Sequence, residues 1–223
     1  MSAKNFGTGI QTGLTGQGDG TVMDQGLTAD TLVACEAGWM RVSDLREGNR
    51  VKTFDNGLQE ITAIRRTVLW PGATTIPQPF WPLTVPAGAL SNDTEIILLP
   101  AQGVLVESEL VRDPMGDPFA VVPSLALEGL CGIRRKAPPP ELEQIRLIFR
   151  QDEVIYVRSG VLAFCRGRTD SARMSRSSVQ RLYNVMAYAQ AREVFMLDRA
   201  LAERALVRTG RYTASFGEYS LAV

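Results

Sequence analysis

The residue types that usually carry acid–base catalysis, nucleophilic attack and metal binding are scarce in this sequence. Histidine, the commonest general base and metal ligand near neutral pH, is absent. The three cysteines, Cys35, Cys131 and Cys165, include no Cys-x-x-Cys pair, and their number is odd. Ser-His-Asp and Cys-His machinery is therefore excluded, and neither a disulfide framework nor a zinc site is predicted. We expect no cofactor and no metal, with each cysteine buried as a small hydrophobe.

The composition is that of an ordinary globular chain with one sizeable domain and appendages. Its 223 residues are 45% hydrophobic and 22% charged, and the formal net charge is +0. This balance gives no overall field for attracting nucleic acid or an anionic membrane. No apolar run approaches the ~20 residues of a membrane span, and no signal peptide is evident. We expect a cytoplasmic protein, or one exported without a classical signal peptide.

Three regions are predicted. Residues 1–26 hold seven of the 20 glycines and are predicted to be a flexible arm. Residues 27–165 contain many short β-forming runs separated by turn residues and prolines, which is typical of an all-β module rather than of βαβ units. The firmest local prediction is a hairpin: a strand over 50–54, a turn at Asp55-Asn56-Gly57 and a returning strand over 58–64.

The third region, 166–223, combines an Arg-rich segment with a helical extension. Helix-forming residues predict a helix from Ser177 to about Val207, docked on the β domain through Val179, Met186 and Leu197. Between residues 166 and 211, ten arginines stand against four acidic residues. Such an excess suits either docking on the acidic body of the protein, which we favour, or binding of anions and nucleic acid.

Three blocks of sequence, in order, resemble Hint (hedgehog/intein) domains and in particular the short bacterial Hint-domain proteins. The blocks are residues 26–55, which hold Gly-Trp and a Val-x-x-Leu-x-x-Gly segment, residues 85–106 and residues 145–160. The resemblance implies a compact, mainly β fold in which the two ends of the module meet. It also implies rearrangement of the peptide bond that precedes a Cys or Ser nucleophile, assisted by histidines.

At each position where the resemblance implies chemistry, this sequence holds another residue. Gly26 stands in the place of the nucleophile, Gln102 in that of the middle-block His and Asp152 in that of the last-block His; Asp30 replaces a family Gly. Glycine cannot attack a carbonyl, and an amide cannot shuttle a proton near neutral pH. We therefore predict a catalytically inactive Hint-like module in which Gly26, Gln102 and Asp152 converge.

Two other functions stay open at this point. Thr28 or Cys35 could serve as nucleophile for self-cleavage, although no histidine exists to activate either one. Loss of chemistry with retention of the scaffold favours an interaction or assembly module that binds a protein partner or itself. Trp70, Phe80 and Trp81, among neighbouring prolines, are the best sequence candidates for its binding surface, unless they only cover the core. No membrane contact and no small-molecule substrate are evident.

Overall fold

The chain folds mainly as β-structure, as predicted. The structure is a computed structural model that describes residues 25–70, 75–139, 141–168 and 183–209. Within these ranges it contains 14 strands, three short 3-10 helices and one α-helix, α1 (Tyr188–Thr209). The strands are β1 (Leu27–Thr28), β2 (Leu32–Cys35), β3 (Gly38–Arg41), β4 (Arg50–Thr53), β5 (Gly57–Glu60), β6 (Ala63–Val68), β7 (Leu83–Val85), β8 (Ile96–Leu98), β9 (Gly103–Glu107), β10 (Phe119–Pro123), β11 (Arg134–Arg135), β12 (Glu143–Ile148), β13 (Glu153–Tyr156) and β14 (Leu162–Cys165).

Three antiparallel sheets are formed by these strands. The largest has the order β10-β9-β14-β13-β4-β2-β3, with β5 paired to β4. Two smaller sheets have the orders β1-β12-β6 and β11-β7-β8. Apolar residues from all three sheets form the main core, in which Ile61, Leu83, Ile145 and Ile155 are fully buried. Burial of these side chains is the main driving force that holds the sheets together.

The β4–β5 hairpin confirms the predicted turn. Side chains along β4 alternate between exposed and buried, as the sequence pattern indicates. The Thr53 hydroxyl donates to the Gly57 carbonyl at 2.9 Å and accepts from the Asn56 backbone N–H at 3.2 Å. Gly57 has a φ of +65°, a conformation that costs little only because it lacks a Cβ. Local turn chemistry therefore fixes this hairpin.

The returning strand is shorter than predicted, because the chain changes sheets within it. β5 ends at Glu60, and Ile61 turns its side chain fully into the core. β6 then begins at Ala63 and pairs along its whole length with β12 rather than with β4. The predicted single strand over 58–64 is thus wrong at its end, because its last residues pair with the distant strand β12 instead of with β4.

β7 lies between Pro82 and Pro86 and was not predicted. It forms the centre of its sheet, with β11 on one side and β8 on the other. Proline lacks the N–H that a central strand needs, and the two prolines thus confine the ladder to three residues. All three residues of β7 are buried.

The segment before α1 corrects the predicted helix start. Tyr183 to Ala187 are not helical, and Val185 forms a parallel bridge with Val121 of β10. The Val121 N–H donates to the Asn184 carbonyl, and the Met186 N–H donates to the Val121 carbonyl, at 2.8 and 2.9 Å. The outer edge of β10 supplies these bonds and holds the chain extended, which overrides its helical propensity.

α1 docks through a different face from the one predicted. Ala191 and Phe195, one turn apart, are buried, and Asp198 accepts a hydrogen bond from the Ser108 hydroxyl at 2.7 Å. Leu197 is 58% exposed, because two residues after Phe195 a helix has turned through about 200°. Met186 packs against the core as predicted, although it precedes the helix. Val179 lies outside the described residues.

Several predicted features fall on residues that the structure does not describe. The Gly-rich arm lies outside the described residues up to residue 24, and so does most of the Arg-rich segment, residues 169–176. Gln25 and Gly26, at the end of the predicted arm, are buried. Among the described residues, no helix has both the length and the apolar character needed to cross a membrane.

The docking face of α1 gives a direct stability prediction. Phe195→Ala should lower the free energy of unfolding by about 2–4 kcal/mol, because it removes a large buried side chain. Leu197→Ala, the matched control on the exposed face, should change it by less than about 0.5 kcal/mol. Urea denaturation followed by circular dichroism measures both. Equal losses, or a larger loss for Leu197→Ala, would contradict this docking.

Candidate functional site

A small cavity, partly open to the surface, lies where the two ends of the β region meet. Its lining includes Gln25 and Gly26 from the start of this region and Cys165 and Arg166 from its end, together with Gln102. The volume is about 10 Å³, which holds one water molecule at most. The structure thus brings Gly26 and Gln102 together. The enclosed space has room for water but not for a larger free ligand.

The space beside Gly26 is filled by Gln144 of β12. A Cβ built on Gly26 would lie 2.4 Å from Gln144 Cγ and 2.8 Å from its Nε2. Real Cβ contacts are never that short. Gln144 is itself buried and held within β12, where it is the register partner of Thr28. A side chain at position 26 therefore cannot be accommodated unless Gln144 moves.

The Gln102 side chain has both of its N–H donors engaged with the backbone. Nε2 donates to the Gly103 carbonyl at 2.8 Å and to the Phe164 carbonyl at 2.9 Å. Because two carbonyls face this nitrogen, the orientation of the amide is fixed. Gln102 is 1% exposed, and its Oε1 has no hydrogen-bond partner among the described residues. Toward the cavity, Gln102 has only an acceptor to offer.

Glycine at position 103 lets the surrounding chains approach closely. A Cβ there would lie 2.9 Å from Val121, 3.0 Å from Phe164 and 3.2 Å from the Gln25 Nε2. The Gln25 amide is buried, and neither of its polar atoms has a partner among the described residues. A buried unpartnered amide costs about 1–3 kcal/mol, and this one sits beside a cavity the size of a water molecule.

Cys165 faces this cavity but is poorly suited to act as a nucleophile. Burial raises the pKa of its thiol to about 12, and the charge of neighbouring Glu153 adds to the effect. The thiolate is the reactive form, so this sulfur stays protonated near neutral pH. Glu153, its partner across the β13–β14 pair, is 1% exposed, and burial also raises its pKa.

Asp152 is not part of the cavity lining, but it contacts Gly167, the residue that follows Arg166 of the lining. Its Oδ1 accepts a hydrogen bond from the Gly167 backbone N–H at 2.8 Å. A Cβ on Gly167 would collide with the Gln151 backbone at 2.2 Å, so only glycine permits this close approach. Asp152 thus fastens the chain just beyond Arg166. That it converges with Gly26 and Gln102 stays a prediction.

Sequence reasoning missed four residues of this region. Gln25, Gln144, Glu153 and Cys165 surround the predicted positions, but none belongs to a catalytic motif. One signal was available: buried polar residues within apolar strands usually have a specific role, and Gln144 and Glu153 stand in such strands.

The two alternative nucleophiles are both engaged elsewhere. The Thr28 hydroxyl shares a hydrogen bond with the Thr31 hydroxyl at 2.9 Å. The Cys35 thiol donates to the Val33 carbonyl at 3.7 Å, and burial raises its pKa. The prediction that all cysteines are buried is wrong for two of them. Cys35 is only half-buried, and Cys131 is exposed because it lies in a turn with a φ of +44°. All three are free thiols.

The aromatic loop predicted as a surface is partly built into the domain. Trp70, Phe80 and Trp81 are each half-buried. The Trp81 indole N–H donates to the Ile76 carbonyl at 2.7 Å, and Arg135 donates to the carbonyls of residues 78 and 79. The loop is therefore fastened to the body of the protein. Its use as a binding surface stays a prediction.

The part of the chain that the structure describes contains no cluster of three or more potential metal-ligating His, Cys, Asp or Glu side chains. The site around Gly26 consists of the packed side-chain amides of Gln25, Gln102 and Gln144. Glu153, the register partner of Cys165, contributes the nearby carboxylate. The site contains hydrogen-bond acceptors, a protonated thiol and close-packed glycines, and its described side chains offer no activated nucleophile.

Comparison with known proteins agrees with this architecture. The family model of the Hint domain matches residues 25–162. The crystal structure of the gp41-1 intein is 17% identical, and the match covers 62% of this chain and 96% of that chain with a TM-score of 0.39. A splice-inactive, GSH-linked variant of the AceL NrdHF class 3 split intein is 13% identical, covering 66% and 100% with a TM-score of 0.34. No curated protein matches the chain.

The three sheets, together with the meeting of the two ends of the β region around Gly26, define a Hint-type β module. Because the Hint model spans more than half of the sequence, the chain belongs to the Hint-domain family. The resemblance drawn from the three sequence blocks is thereby confirmed.

The packing of Gln144 against Gly26 can be tested by a double-mutant cycle. Gly26→Ala should cost about 1–3 kcal/mol of unfolding free energy, because its Cβ overpacks the site. Combined with Gln144→Ala, the loss should be smaller than the sum of the two single losses by about 1 kcal/mol or more. Denaturant unfolding of the four proteins measures this coupling.

The control for this cycle is Gln59→Ala on β5, outside the cavity. Its effect should add to that of Gly26→Ala within about 0.5 kcal/mol. A tolerated Gly26→Ala, or additivity with Gln144→Ala, would contradict the steric relation between the two positions.

Proposed function

We propose that this chain is a Hint module that does not rearrange its own backbone and that acts by binding other proteins. Hint and intein family members carry self-splicing activity. The bond that such chemistry would address here is the Gln25–Gly26 peptide bond, since Gly26 occupies the nucleophile position implied by the family pattern. The proposal depends on what surrounds this bond.

The first step of the family reaction needs a side chain at position 26. Its sulfur or oxygen would attack the Gln25 carbonyl carbon, while the amide nitrogen takes up a proton and leaves. Glycine has no atom to attack with, and Gln144 fills the neighbouring volume. A side chain introduced at position 26 would have to displace Gln144.

The second requirement is a donor that stabilises negative charge developing on the Gln25 carbonyl oxygen. A histidine at position 102 would combine hydrogen bonding with proton transfer. Gln102 has two amide hydrogens, and both bind backbone carbonyls. It therefore has no donor left for the Gln25 carbonyl, and this is the single observation that most strongly supports an inactive site.

Binding is the function that the remaining structure favours. The domain has a packed core, and several of its loops are hydrogen-bonded to it, although the family's nucleophile and histidines are missing. Exposed large apolar side chains, Met196 and Leu197, lie on the outer face of α1, which suits self-association or attachment to a larger assembly. The partly exposed Trp70, Phe80 and Trp81 are a second candidate surface.

Intact-mass spectrometry tests the inactive state. The purified full chain, incubated with and without dithiothreitol, should give one species at 24.4 kDa in both samples. Fragments that begin at Gly26, at Thr28 or at Cys35 would contradict the proposal and identify the nucleophile.

A variant in which Gly26→Cys, Gln102→His and Asp152→His are combined with Gln144→Ala provides the comparison. We expect thiol-dependent cleavage before residue 26 in this variant only. The same variant without Gln102→His is the matched control, and it should remain uncut because the Gln25 carbonyl then lacks a free donor.

A further inference from the structure

A second and much larger cleft shares no lining residue with the Gly26 cavity. Its volume is about 690 Å³, within the range of roughly 300–1,000 Å³ typical of ligand sites. The walls come from β1, β7, β8, the turn after β13 and the chain around Pro138. Neither the Hint chemistry nor the packing of the core accounts for a cleft of this size.

The floor of the cleft is the outer face of a small sheet with an unpaired edge. β8 pairs with β7 on one side, and no other described residue makes a backbone hydrogen bond to it, although β1 packs against it. Ile97 of β8 and Thr84 of β7 are direct cross-strand partners, and both face the cleft. Ile97 is 36% exposed, whereas its neighbours Ile96 and Leu98 point into the core. An exposed strand edge is a template for pairing with another extended chain.

Two buried hydroxyls at the cleft have no partner. Thr84 is 3% exposed and Ser159 is 5% exposed, and neither Oγ makes a hydrogen bond within the described chain. An unsatisfied buried hydroxyl costs free energy, about 1–3 kcal/mol. Both residues line the cleft, where a bound polar chain would be the nearest source of the missing partners. These residues therefore favour a ligand with backbone-like donors and acceptors.

The charged side chains of the cleft leave positive charge in excess. Lys136 and Arg158 are exposed and make no ion pair with another described residue. Of the two carboxylates on the wall, Asp30 is already bound to Arg41 at 2.9 Å, which leaves Glu95. Two unpaired cations facing one carboxylate suit a ligand that carries an acidic group.

We propose that this cleft binds an extended peptide segment of a partner protein, which adds to the free edge of β8 and presents an acidic side chain to Lys136 and Arg158. The inference deepens the proposed binding function by naming the chemistry of the partner. Main-chain pairing supplies affinity, while Ile97 and the two cations select β-branched and acidic side chains at alternating positions.

A positional-scanning library of blocked, fluorescein-labelled hexapeptides tests the proposal by fluorescence polarisation against the full chain. Pools with Asp or Glu at one position should bind at least about tenfold more tightly than pools with Lys there. The Lys136→Glu/Arg158→Glu variant should lose this preference and bind at least about tenfold more weakly. Arg46→Glu/Arg65→Glu, which makes the same charge change outside the cleft, should bind like the unmodified chain.

Hydrogen exchange locates the peptide. The best pool should slow amide exchange in 96–98, because β8 gains a second partner. The proposal is overturned if no pool binds, if both double variants bind equally, or if β8 exchange is unchanged at saturation. Equal unfolding midpoints of the variants show that each one is folded. Self-cleavage seen by mass spectrometry would refute the inactive site without affecting these outcomes. Peptide binding at another surface would refute the cleft as the binding site but not the proposed binding function.

Discussion

The side-chain amide of Gln102 is the interaction on which the local architecture depends. By donating to the carbonyls of Gly103 and Phe164, it joins the beginning of β9 to β14, its neighbour in the large sheet. In a buried setting such bonds are costly to lose, because each carbonyl would be left without a partner. The same bonds remove from Gln102 the donors that peptide-bond rearrangement at Gln25 would need. Under the proposed function, structural satisfaction and loss of chemistry are two consequences of one amide.

The presence of glycine at position 26 is linked to the packing of Gln144 in the same region. With no side chain at position 26, β12 can place Gln144 against the backbone there, and the cavity shrinks to the volume of one water molecule. Since protein interiors are close-packed, the volume beside a residue without a side chain is taken by a neighbour. If the proposed function holds, the site is a repacked one, and restoring the chemistry requires changes at the neighbours as well as at the family positions.

The sequence predicted what local chemistry determines. The β4–β5 hairpin follows from Asn56 and Gly57, whose conformational freedom fixes the turn. β7 could not be predicted, because flanking prolines hide a strand whose stability comes from β8 and β11. The start of α1 was misplaced because β10 offers hydrogen bonds that helical propensity cannot reveal. In the site, Gln102 was recognisable from the order of motifs, whereas the role of Gln144 depends on contacts between distant segments.

The state of the Gln102 amide is the most direct test of this account. In a ¹⁵N-edited NMR spectrum, its two Nε2 protons should exchange slowly with solvent and show nuclear Overhauser effects to Gly103 and Phe164, since each proton is held by a buried carbonyl. The exposed Gln78 side-chain amide, which makes no hydrogen bond to another described residue, supplies the reference for rapid exchange. Rapid exchange at Gln102, or contacts from its Nε2 protons to Gln25 instead, would show an available donor beside the peptide bond and would contradict the account.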